Sequence, residues 1–254
     1  MPHVKNNNSE DTSWHEVASW YDDLLRGEDT YQSKVIAPHL LRLMNISRGE
    51  KVLDVACGQG FFSSLFHKAG AEVIGIDLGV DLIALAKKNT PDITYHTASA
   101  DFMTMVKDKS IDKAVIVLAL QNIKTVRETF AEIRRVLKSG GELFIVLNHP
   151  SFRIPQVSSW GFEGDKQYRR IDAYMSEREV YIDMHPGDTK KVQTVSFHRP
   201  LQWYVKHAVK SGFVLTGLEE WISHKESQKG PHKTEEDRIR KEIPLFMCLV
   251  FKVS

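Results

Sequence analysis

Cysteine is scarce in this chain, which has two cysteines, Cys57 and Cys248, among 254 residues. Their separation matches neither a metal-binding spacing nor a disulfide framework, so we expect both thiols to be reduced and no metal to be bound. Long apolar runs are also missing, since no window approaches the ~18 to 20 apolar residues of a membrane-spanning helix. The N-terminal stretch MPHVKNNNSEDTSWHE lacks the apolar core of a signal peptide. These absences predict a cytoplasmic protein without a membrane segment.

An excess of charge of either sign is absent as well. Lys and Arg number 34 and Asp and Glu number 33, so the formal net charge is +1, and like charges never form a long run. A protein that binds duplex nucleic acid usually carries a basic patch or stripe. The charge pattern therefore argues against a nucleic-acid partner, and nothing in it indicates an oligomeric state.

Alternating strand and helix patterns fill residues 45–150. Five short β-prone runs are separated by segments whose apolar residues recur at helical spacing. The runs are KVLDVA, EVIGIDL, ITYHTA, KAVIVLAL and ELFIVLN, and the last is preceded by a helix predicted through VRETFAEIRRVLKSGG. This alternation predicts an α/β protein with a doubly wound, mostly parallel sheet covered on both faces. Two further runs, VLTGLEEWI and IPLFMCLVFKV, predict an antiparallel edge hairpin that completes a seven-stranded sheet.

The same patterns divide the chain into four predicted parts. Residues 1–44 form an N-terminal helical cap of two helices, and residues 45–150 form the core. Residues 151–199 form an insertion after the fifth strand, with a possible hairpin in EREVYIDMHPGDTKKVQTVSF. Residues 200–254 return to the core, and their polar segment SHKESQKGPHKTEEDRIRKE is expected to be a long loop. Because the insertion leaves the sheet at its carboxyl edge, we interpret it as a lid over a ligand site.

Two glycines interrupt the stretch KVLDVACGQGFFSSLF between its strand and its helix. Gly58 and Gly60 let the backbone and the next helix N-terminus approach a ligand, so we expect a side chain there to collide with ligand more than with protein. The pair alone is a weak signal, and a tight turn without a ligand stays open. Dinucleotide sites place Gly or Ala where this chain has Ser63, which argues against a dinucleotide-dependent reductase.

Three carboxylates strengthen the case for a ligand. Asp54 lies in the first strand, Asp77 ends the second, and Asp101 follows the third. Acids at consecutive strand ends repel a pyrophosphate, but they suit a ligand with a ribose, an exocyclic amine and a cationic amino-acid end. A helix N-cap or a solvated acid explains any one of them alone. All three in order favour the ligand.

Four motifs together resemble those of the class I S-adenosylmethionine-dependent methyltransferases of the type 11 group: VLDVACGQG, VIGIDLGVDLIALAKKN, ASADF and RRVLKSGGELFIVLNHP. The resemblance covers residues 50–150. It implies the Rossmann-like methyltransferase fold, with S-adenosyl-L-methionine as cofactor and S-adenosyl-L-homocysteine as its product. The implied cofactor-binding residues are Asp54, Ala56, Gly58 and Gly60 for the methionine part, Asp77 for the ribose, Leu78 against the adenine, and Asp101 for the adenine amino group beside Ala100 and Phe102.

The methyl acceptor is harder to infer than the cofactor. Methyltransferases that act on exocyclic base amines carry an Asn/Asp-Pro-Pro-aromatic motif after the fourth strand, where this chain has LALQNI. Neither cysteine is placed to attack cytosine C5. We therefore predict direct SN2 methyl transfer to a small-molecule acceptor, whose identity and methylated atom stay open. RNA methylation and a non-catalytic, cofactor-binding partner subunit remain the alternatives.

Candidate catalytic and acceptor-binding residues lie mainly after the fourth and fifth strands. His149 and His198 are the predicted catalytic residues, since histidine is readily tuned to accept a proton near neutral pH, although a low-pKa acceptor needs no base. The predicted substrate-binding residues are Tyr21, Gln121, Asn122, Arg153, Trp160, Tyr168 and Arg169. Structural alternatives stay open: a strand-end cap for His149, a solvated face for the two arginines, and the insertion's own core for the aromatics.

Overall fold

A computed structural model of the chain describes residues 27, 29–183 and 193–254. The strands within these residues are β1 (Lys51–Val55), β2 (Glu72–Asp77), β3 (Thr94–Thr97), β4 (Ile111–Val117), β5 (Leu137–Asn148), β6 (Ser158–Glu163), β7 (Lys166–Ile171), β8 (Arg178–Asp183), β9 (Gln193–His198), β10 (Phe213–Trp221) and β11 (Phe246–Val253). The helices are α1 (Ala37–Met44), α2 (Phe61–Lys68), α3 (Val80–Asn89), α4 (Val126–Val136), α5 (Leu201–Lys210) and α6 (Lys233–Glu242), with a π-helical turn at Gln32–Ile36 and a 3₁₀ turn at Leu120–Asn122.

Seven strands form one sheet in the order β10-β11-β5-β4-β1-β2-β3. The pairs among β1 to β5 are parallel, and β11 runs antiparallel to both β5 and β10. The predicted doubly wound sheet with an antiparallel edge pair is confirmed. Because the carboxyl ends of β1 to β5 share one edge, the glycine turn, the segment after β4 and the start of the insertion all emerge there.

Helices bury both faces of this sheet. On one face α4 presents Val126, Phe130 and Ile133, which are spaced at helical intervals and fully buried beside residues of α5. On the other face α1 contributes Leu40 and α2 contributes Phe66 to a second core that includes residues of β1, β2 and β11. The central strands β4 and β5 therefore contain uninterrupted apolar runs at residues 114–117 and 143–147, since both of their faces are covered.

Two boundaries differ from the predictions. Helix α4 ends at Val136 and β5 begins at Leu137, so the glycines of KSGG lie inside a strand instead of ending the helix. The register between β4 and β5 shifts between Ile111 and Lys113, so the first part of β5 pairs across an irregularity. The polar segment expected to be a long loop contains α6, whose buried residue is Ile239.

Two hairpins occupy the insertion. The expected hairpin is confirmed as β8 paired with β9, and residues 184–192 between them lie outside the described residues. Strands β6 and β7 form a second hairpin that the sequence did not predict. The second helix of the predicted cap is present as the π-helical turn and α1, whereas the first lies outside the described residues. Within the described ranges, no helix has the length and apolar character to cross a bilayer.

Candidate functional site

The glycine turn between β1 and α2 uses its two glycines for different reasons. Gly58 has φ +57°, and a Cβ atom built on it meets no atom within 4 Å. Gly60 has φ +85°, and a Cβ there falls 2.5 Å from the hydroxyl oxygen of Tyr95. The expectation that a side chain at Gly60 collides with ligand is therefore wrong, because Tyr95 occupies that space. Gly58 is the glycine that faces open space.

Asp77 links the glycine turn to the end of β2. Its Oδ2 accepts a hydrogen bond from the Gly58 N–H and its Oδ1 accepts one from the Gly79 N–H, both at 2.8 Å. We expected the Gly58 N–H to point at a ligand. In the structure it donates to this carboxylate instead. Burial raises the pKa of Asp77, and the backbone bonds oppose that rise. Each carboxylate oxygen keeps a further lone pair for a ligand hydroxyl.

Asp54 is buried beneath the turn, with 2% of its surface exposed. The Ser63 hydroxyl, on the first turns of α2, donates to its Oδ2 at 2.6 Å. Burial raises the pKa of Asp54 to about 7, and the negative charge of Asp77 adds to the rise while the Ser63 bond opposes it. Ser63, which counted only against a dinucleotide in the sequence, is thus the partner that positions Asp54.

Exposed apolar side chains flank the acids at this edge. Leu78 follows Asp77 directly and is 41% exposed, and Phe102 follows Asp101 and is 67% exposed. The Ser99 hydroxyl donates to Asp101, and Ala100 packs against the core. Large apolar side chains beside strand-end acids offer flat surface to a planar ring and leave the acids free to bond its edge.

The end of β4 carries Gln121 and Asn122 in the 3₁₀ turn. The Gln121 Nε2 donates to the Leu118 carbonyl at 2.6 Å. Its Oε1 is buried and has no hydrogen-bond partner among the described residues. Leu118 adopts φ +53°, a conformation that non-glycine residues take rarely, and its N–H donates to the Val146 carbonyl of β5. Gln121 thus retains one unused acceptor, and its predicted acceptor-binding role stays a prediction, as does that of Asn122.

His149 is buried, at the start of the segment that follows β5. Its Nε2 lies 2.6 Å from Glu220 Oε1, and its Nδ1 accepts the Ser151 N–H at 3.2 Å. Burial lowers the pKa of His149, although the bond to Glu220 opposes the change. Both ring nitrogens are engaged and 3% of the residue is exposed, so the structure argues against His149 as a proton acceptor. The alternative of a strand-end role fits these contacts.

His198 is also buried, at the end of β9. Its Nε2 lies 2.8 Å from the Tyr174 carbonyl oxygen, which requires Nε2 to carry the proton and donate. Burial lowers the pKa of His198, which keeps the ring neutral. Only Nδ1 is left to accept a proton, and the catalytic role of His198 stays a prediction.

A cavity of about 400 Å³ opens where β5 ends and β11 begins. Its lining includes Tyr31, Arg153, Trp160, Ser223, Arg240 and Phe246. The sequence predicted Arg153 and Trp160, whereas Ser223 and Arg240 come from the segment expected to be a loop. The segment carried little signal for a helix, since Ile239 is the buried residue of α6 and most of its neighbours in the helix are charged.

Two further predicted acceptor residues that the structure describes, Tyr168 and Arg169, do not line this cavity. Arg169 donates from Nε to the Phe152 carbonyl at 2.8 Å and from Nη2 to the Ser158 hydroxyl at 2.6 Å, so it braces the β6–β7 hairpin. Tyr168 lies across Gly161, where an added Cβ atom would sit 2.6 Å from the tyrosine ring. The structure therefore favours structural roles for both residues. Tyr21 lies outside the described residues.

The Rossmann-like class of ligand-binding proteins is defined by a mostly parallel sheet, a glycine turn after β1 and an acid at the end of β2. Here that acid is Asp77, which accepts two backbone N–H bonds. Residues 53–145 match the family model described as a methyltransferase domain. The predicted resemblance to the type 11 methyltransferase group is thereby confirmed.

Known proteins extend this similarity. The chain is 33% identical over 105 residues to a demethylmenaquinone methyltransferase of Renibacterium salmoninarum, covering 41% of this chain and 44% of that protein. It is 30% identical over 152 residues to one of Paenarthrobacter aurescens, covering 57% and 58%. The chain thus spans about half the length of these curated relatives. A crystal structure of an S-adenosylmethionine dependent methyltransferase from Mesorhizobium loti superposes with a TM-score of 0.66 at 24% identity, covering 84% of this chain and 96% of that one, and confirms the fold.

Proposed function

We propose that the chain is an S-adenosylmethionine-dependent methyltransferase that acts on a small-molecule acceptor. The observation that carries the proposal is the pair of hydrogen bonds from the Gly58 and Gly79 N–H groups, which hold the Asp77 carboxylate at the end of β2. The space next to the Gly58 Cα atom is open. A ribose that bonds Asp77 and a chain that passes over Gly58 fit this geometry together.

The charge of the site fits a cationic ligand. Asp54 is buried and Asp77 is partly buried, and the desolvation that raises both pKa values means that the protein alone compensates their charge incompletely. A ligand with an ammonium and a sulfonium group supplies the missing positive charge. A dinucleotide would bring two phosphates toward these carboxylates, so the pair favours S-adenosylmethionine over a nicotinamide cofactor.

The flanking residues fit the base and the sugar. Leu78 and Phe102 expose apolar surface next to Asp77 and Asp101 in the chain, which would suit the adenine ring that the sequence resemblance implies, and Asp101 can accept a hydrogen bond from the adenine amino group. Asp77 keeps lone pairs for two ribose hydroxyls. When bound, the cofactor supplies an activated methyl group with a neutral leaving group.

The contribution of the chain is then mainly positioning. An acceptor must lie in line with the methyl group and sulfur, and water must be excluded. We assign the exclusion of water to the insertion, which begins at the carboxyl edge of the sheet. His149 has no free ring nitrogen, so proton transfer from the acceptor does not depend on it. An acceptor whose nucleophile is already ionised or unprotonated at neutral pH fits this site best.

A small-molecule acceptor is supported by the cavity on the same sheet edge, whose volume of about 400 Å³ suits a metabolite-sized ligand. The curated relatives carry the name of an enzyme that acts on demethylmenaquinone, a small molecule. The formal net charge of +1 gives the chain no excess of basic residues that would attract a polynucleotide. These points favour a metabolite over RNA.

Calorimetric titration with S-adenosylhomocysteine and, in parallel, with NADH tests the cofactor assignment. We expect binding of the first and none of the second, and a loss of about tenfold or more in Asp77→Asn, because an amide cannot accept from both glycine N–H groups and the ribose. Asp112→Asn is the control, since Asp112 bonds Lys51 and Lys138 away from the turn. Tighter NADH binding, or equal affinity in the Asp77 variant, contradicts the proposal.

A further inference from the structure

Arg153 is a partly buried arginine whose guanidinium has a donor that the described residues do not use. Its Nε is buried and has no hydrogen-bond partner among the described residues. Burial lowers the pKa of Arg153, and the nearby positive charges of Arg169 and Arg240 lower it further. Burying a donor and a charge without a partner is costly, so a site of this kind is stabilised when a ligand supplies the acceptor.

The neighbouring Arg169 shows what a structural arginine looks like in the same hairpin region. Both guanidinium groups lie over the ring of Trp160, Arg169 at 4.8 Å and Arg153 at 5.8 Å from the ring centroid. Arg169 also donates to the Phe152 carbonyl and the Ser158 hydroxyl, so protein atoms satisfy it. Arg153 instead lines the cavity. Two arginines therefore contact the Trp160 ring: Arg169 also bonds protein atoms of the hairpin region, whereas Arg153 lines the cavity.

The cavity combines this charge with apolar and aromatic walls. Phe246 and Leu245 form its floor at the start of β11, and Tyr31 contributes an aromatic ring whose edge contacts Phe246 at a centroid distance of 5.7 Å. Arg240 adds a second guanidinium, which donates to the Ser227 hydroxyl, and Glu236 adds one carboxylate. Two guanidinium groups against one carboxylate leave the lining net positive. Such a lining selects an anion attached to a flat, apolar body.

The cavity lies at a useful distance from the cofactor position. Asn148 at the cavity is the last residue of β5, and the glycine turn follows β1, with β4 between the two strands. Neighbouring strands are about 4.8 Å apart, so the two positions are separated by roughly 10 Å along the edge. A ligand anchored at Arg153 can therefore extend along the edge and present an atom near the glycine turn.

We infer that this cavity binds the carboxylate end of a planar aromatic acceptor, with Arg153 pairing with the carboxylate and Trp160 and Tyr31 contacting the body. The inference rests on the proposed methyltransferase function and names the class of acceptor: an extended aromatic acid whose nucleophile lies at the end opposite its carboxylate. The guanidinium fork matches a carboxylate, which explains arginine in place of lysine at this position.

Binding of matched probe pairs to protein saturated with S-adenosylhomocysteine tests the inference. The probes are aromatic acids of graded length, from 4-hydroxybenzoate through 4-hydroxycinnamate, each paired with its neutral primary amide. Affinities are measured by ligand-observed NMR and calorimetry. We expect at least one acid to bind about tenfold or more tightly than its amide, because the amide cannot form the ion pair.

Three variants assign that preference to Arg153. Arg153→Gln should reduce the acid preference by about tenfold or more, and Arg153→Lys should retain part of it, because the charge remains but the fork is lost. The control is Arg170→Gln, which removes the same charge from the β6–β7 hairpin at an exposed residue paired with Asp172. It should leave the preference unchanged. Circular dichroism and S-adenosylhomocysteine affinity confirm that each variant is folded.

The outcomes separate this inference from the proposed function. If S-adenosylhomocysteine binds but no acid in the series binds better than its amide, the acceptor class is wrong and the methyltransferase proposal stands. The acceptor class is equally wrong if Arg153→Gln and Arg170→Gln have the same effect. If S-adenosylhomocysteine does not bind at all, the proposed function fails, and an Arg153-dependent acid preference measured without it would still establish an acid-binding cavity.

Discussion

Replacing Asp54 by Asn should stabilise the ligand-free protein at neutral pH while it weakens cofactor binding. In the ligand-free fold a charged carboxylate is buried at Asp54 with one hydroxyl donor, Ser63, and with Asp77 nearby. An asparagine has nearly the same shape, can still accept the Ser63 bond and carries no charge. The substitution therefore removes the cost of burying the charge and keeps the packing.

The magnitude follows from the pKa of Asp54, which burial raises from its ordinary value near 4 to about 7. The folded protein holds the Asp54 proton more tightly than the unfolded chain does, so folding stability falls as pH rises between these two values and is flat above the higher one. A difference of about 3 in pKa corresponds to roughly 4 kcal/mol over the whole window. About 2 to 3 kcal/mol of this falls between pH 5 and pH 8.

Urea unfolding of the wild type and Asp54→Asn at several pH values between 5 and 8 measures the effect. The free energy of unfolding of the variant relative to the wild type should rise by about 2 to 3 kcal/mol across this range. Asp112→Asn is a control of opposite sign, because the Asp112 pKa is lowered against the pull of burial by bonds from Lys138 and the Lys51 N–H. Its removal should lower stability once the pH exceeds the ordinary Asp value.

The reasoning is refuted if the wild type and Asp54→Asn differ in stability by the same amount at pH 5 and pH 8. It is also refuted if the variant binds S-adenosylmethionine as tightly as the wild type, because the Asp54 charge would then stabilise neither the ligand-free protein nor the cofactor complex. A variant that is more stable and binds the cofactor at least about tenfold less tightly shows that the buried charge is kept for the ligand.

Three further outcomes are expected. Gly58→Ala should weaken cofactor binding with a loss of stability of about 1 kcal/mol from its positive φ, whereas Gly60→Ala should lose more stability in urea unfolding, because its new Cβ atom meets protein. The affinity for S-adenosylmethionine, measured by calorimetry, should fall by up to about tenfold per pH unit below pH 7, since protonation of Asp54 removes a charge that the cation needs. His149→Gln should lower the free energy of unfolding by about 1 to 3 kcal/mol by disturbing the buried bond to Glu220, with methyl transfer in a labelled-cofactor assay changed little; a collapse of turnover in folded protein would restore His149 as a catalytic candidate.

Much of the fold was predictable because burial on both faces leaves a direct trace in the sequence. Strand β11 is apolar along nearly its whole length, β4 is apolar from residue 114 to its end, and α4 has apolar residues at helical spacing with charges between them. Helix α6 left little trace, since only Ile239 is buried among residues that are mostly charged. Its position depends on tertiary packing beside the β6–β7 hairpin and not on its own pattern.

The site was predictable at the level of motifs and unpredictable at the level of partners. The order of Asp54, Asp77 and Asp101 along the chain identified the sheet edge. Gly58 and Gly60 are required for different reasons because Tyr95, from β3, fills the space next to Gly60 but not the space next to Gly58. His149 was predicted to be reactive because its partner Glu220 is 71 residues away and invisible to local patterns.

The electrostatics of the sheet edge connect the two proposals. The buried Asp54 and the partly buried Asp77 lie where β1 and β2 end, and Arg153, whose Nε has no partner among the described residues, follows β5 about two strands away from β1. A cationic cofactor and an anionic acceptor would each neutralise one end, and each would be repelled from the other's position. If both proposals hold, charge alone would set the order of the two ligands along the edge, and the reactive atom of the acceptor would lie between the cofactor and the anion that Arg153 binds.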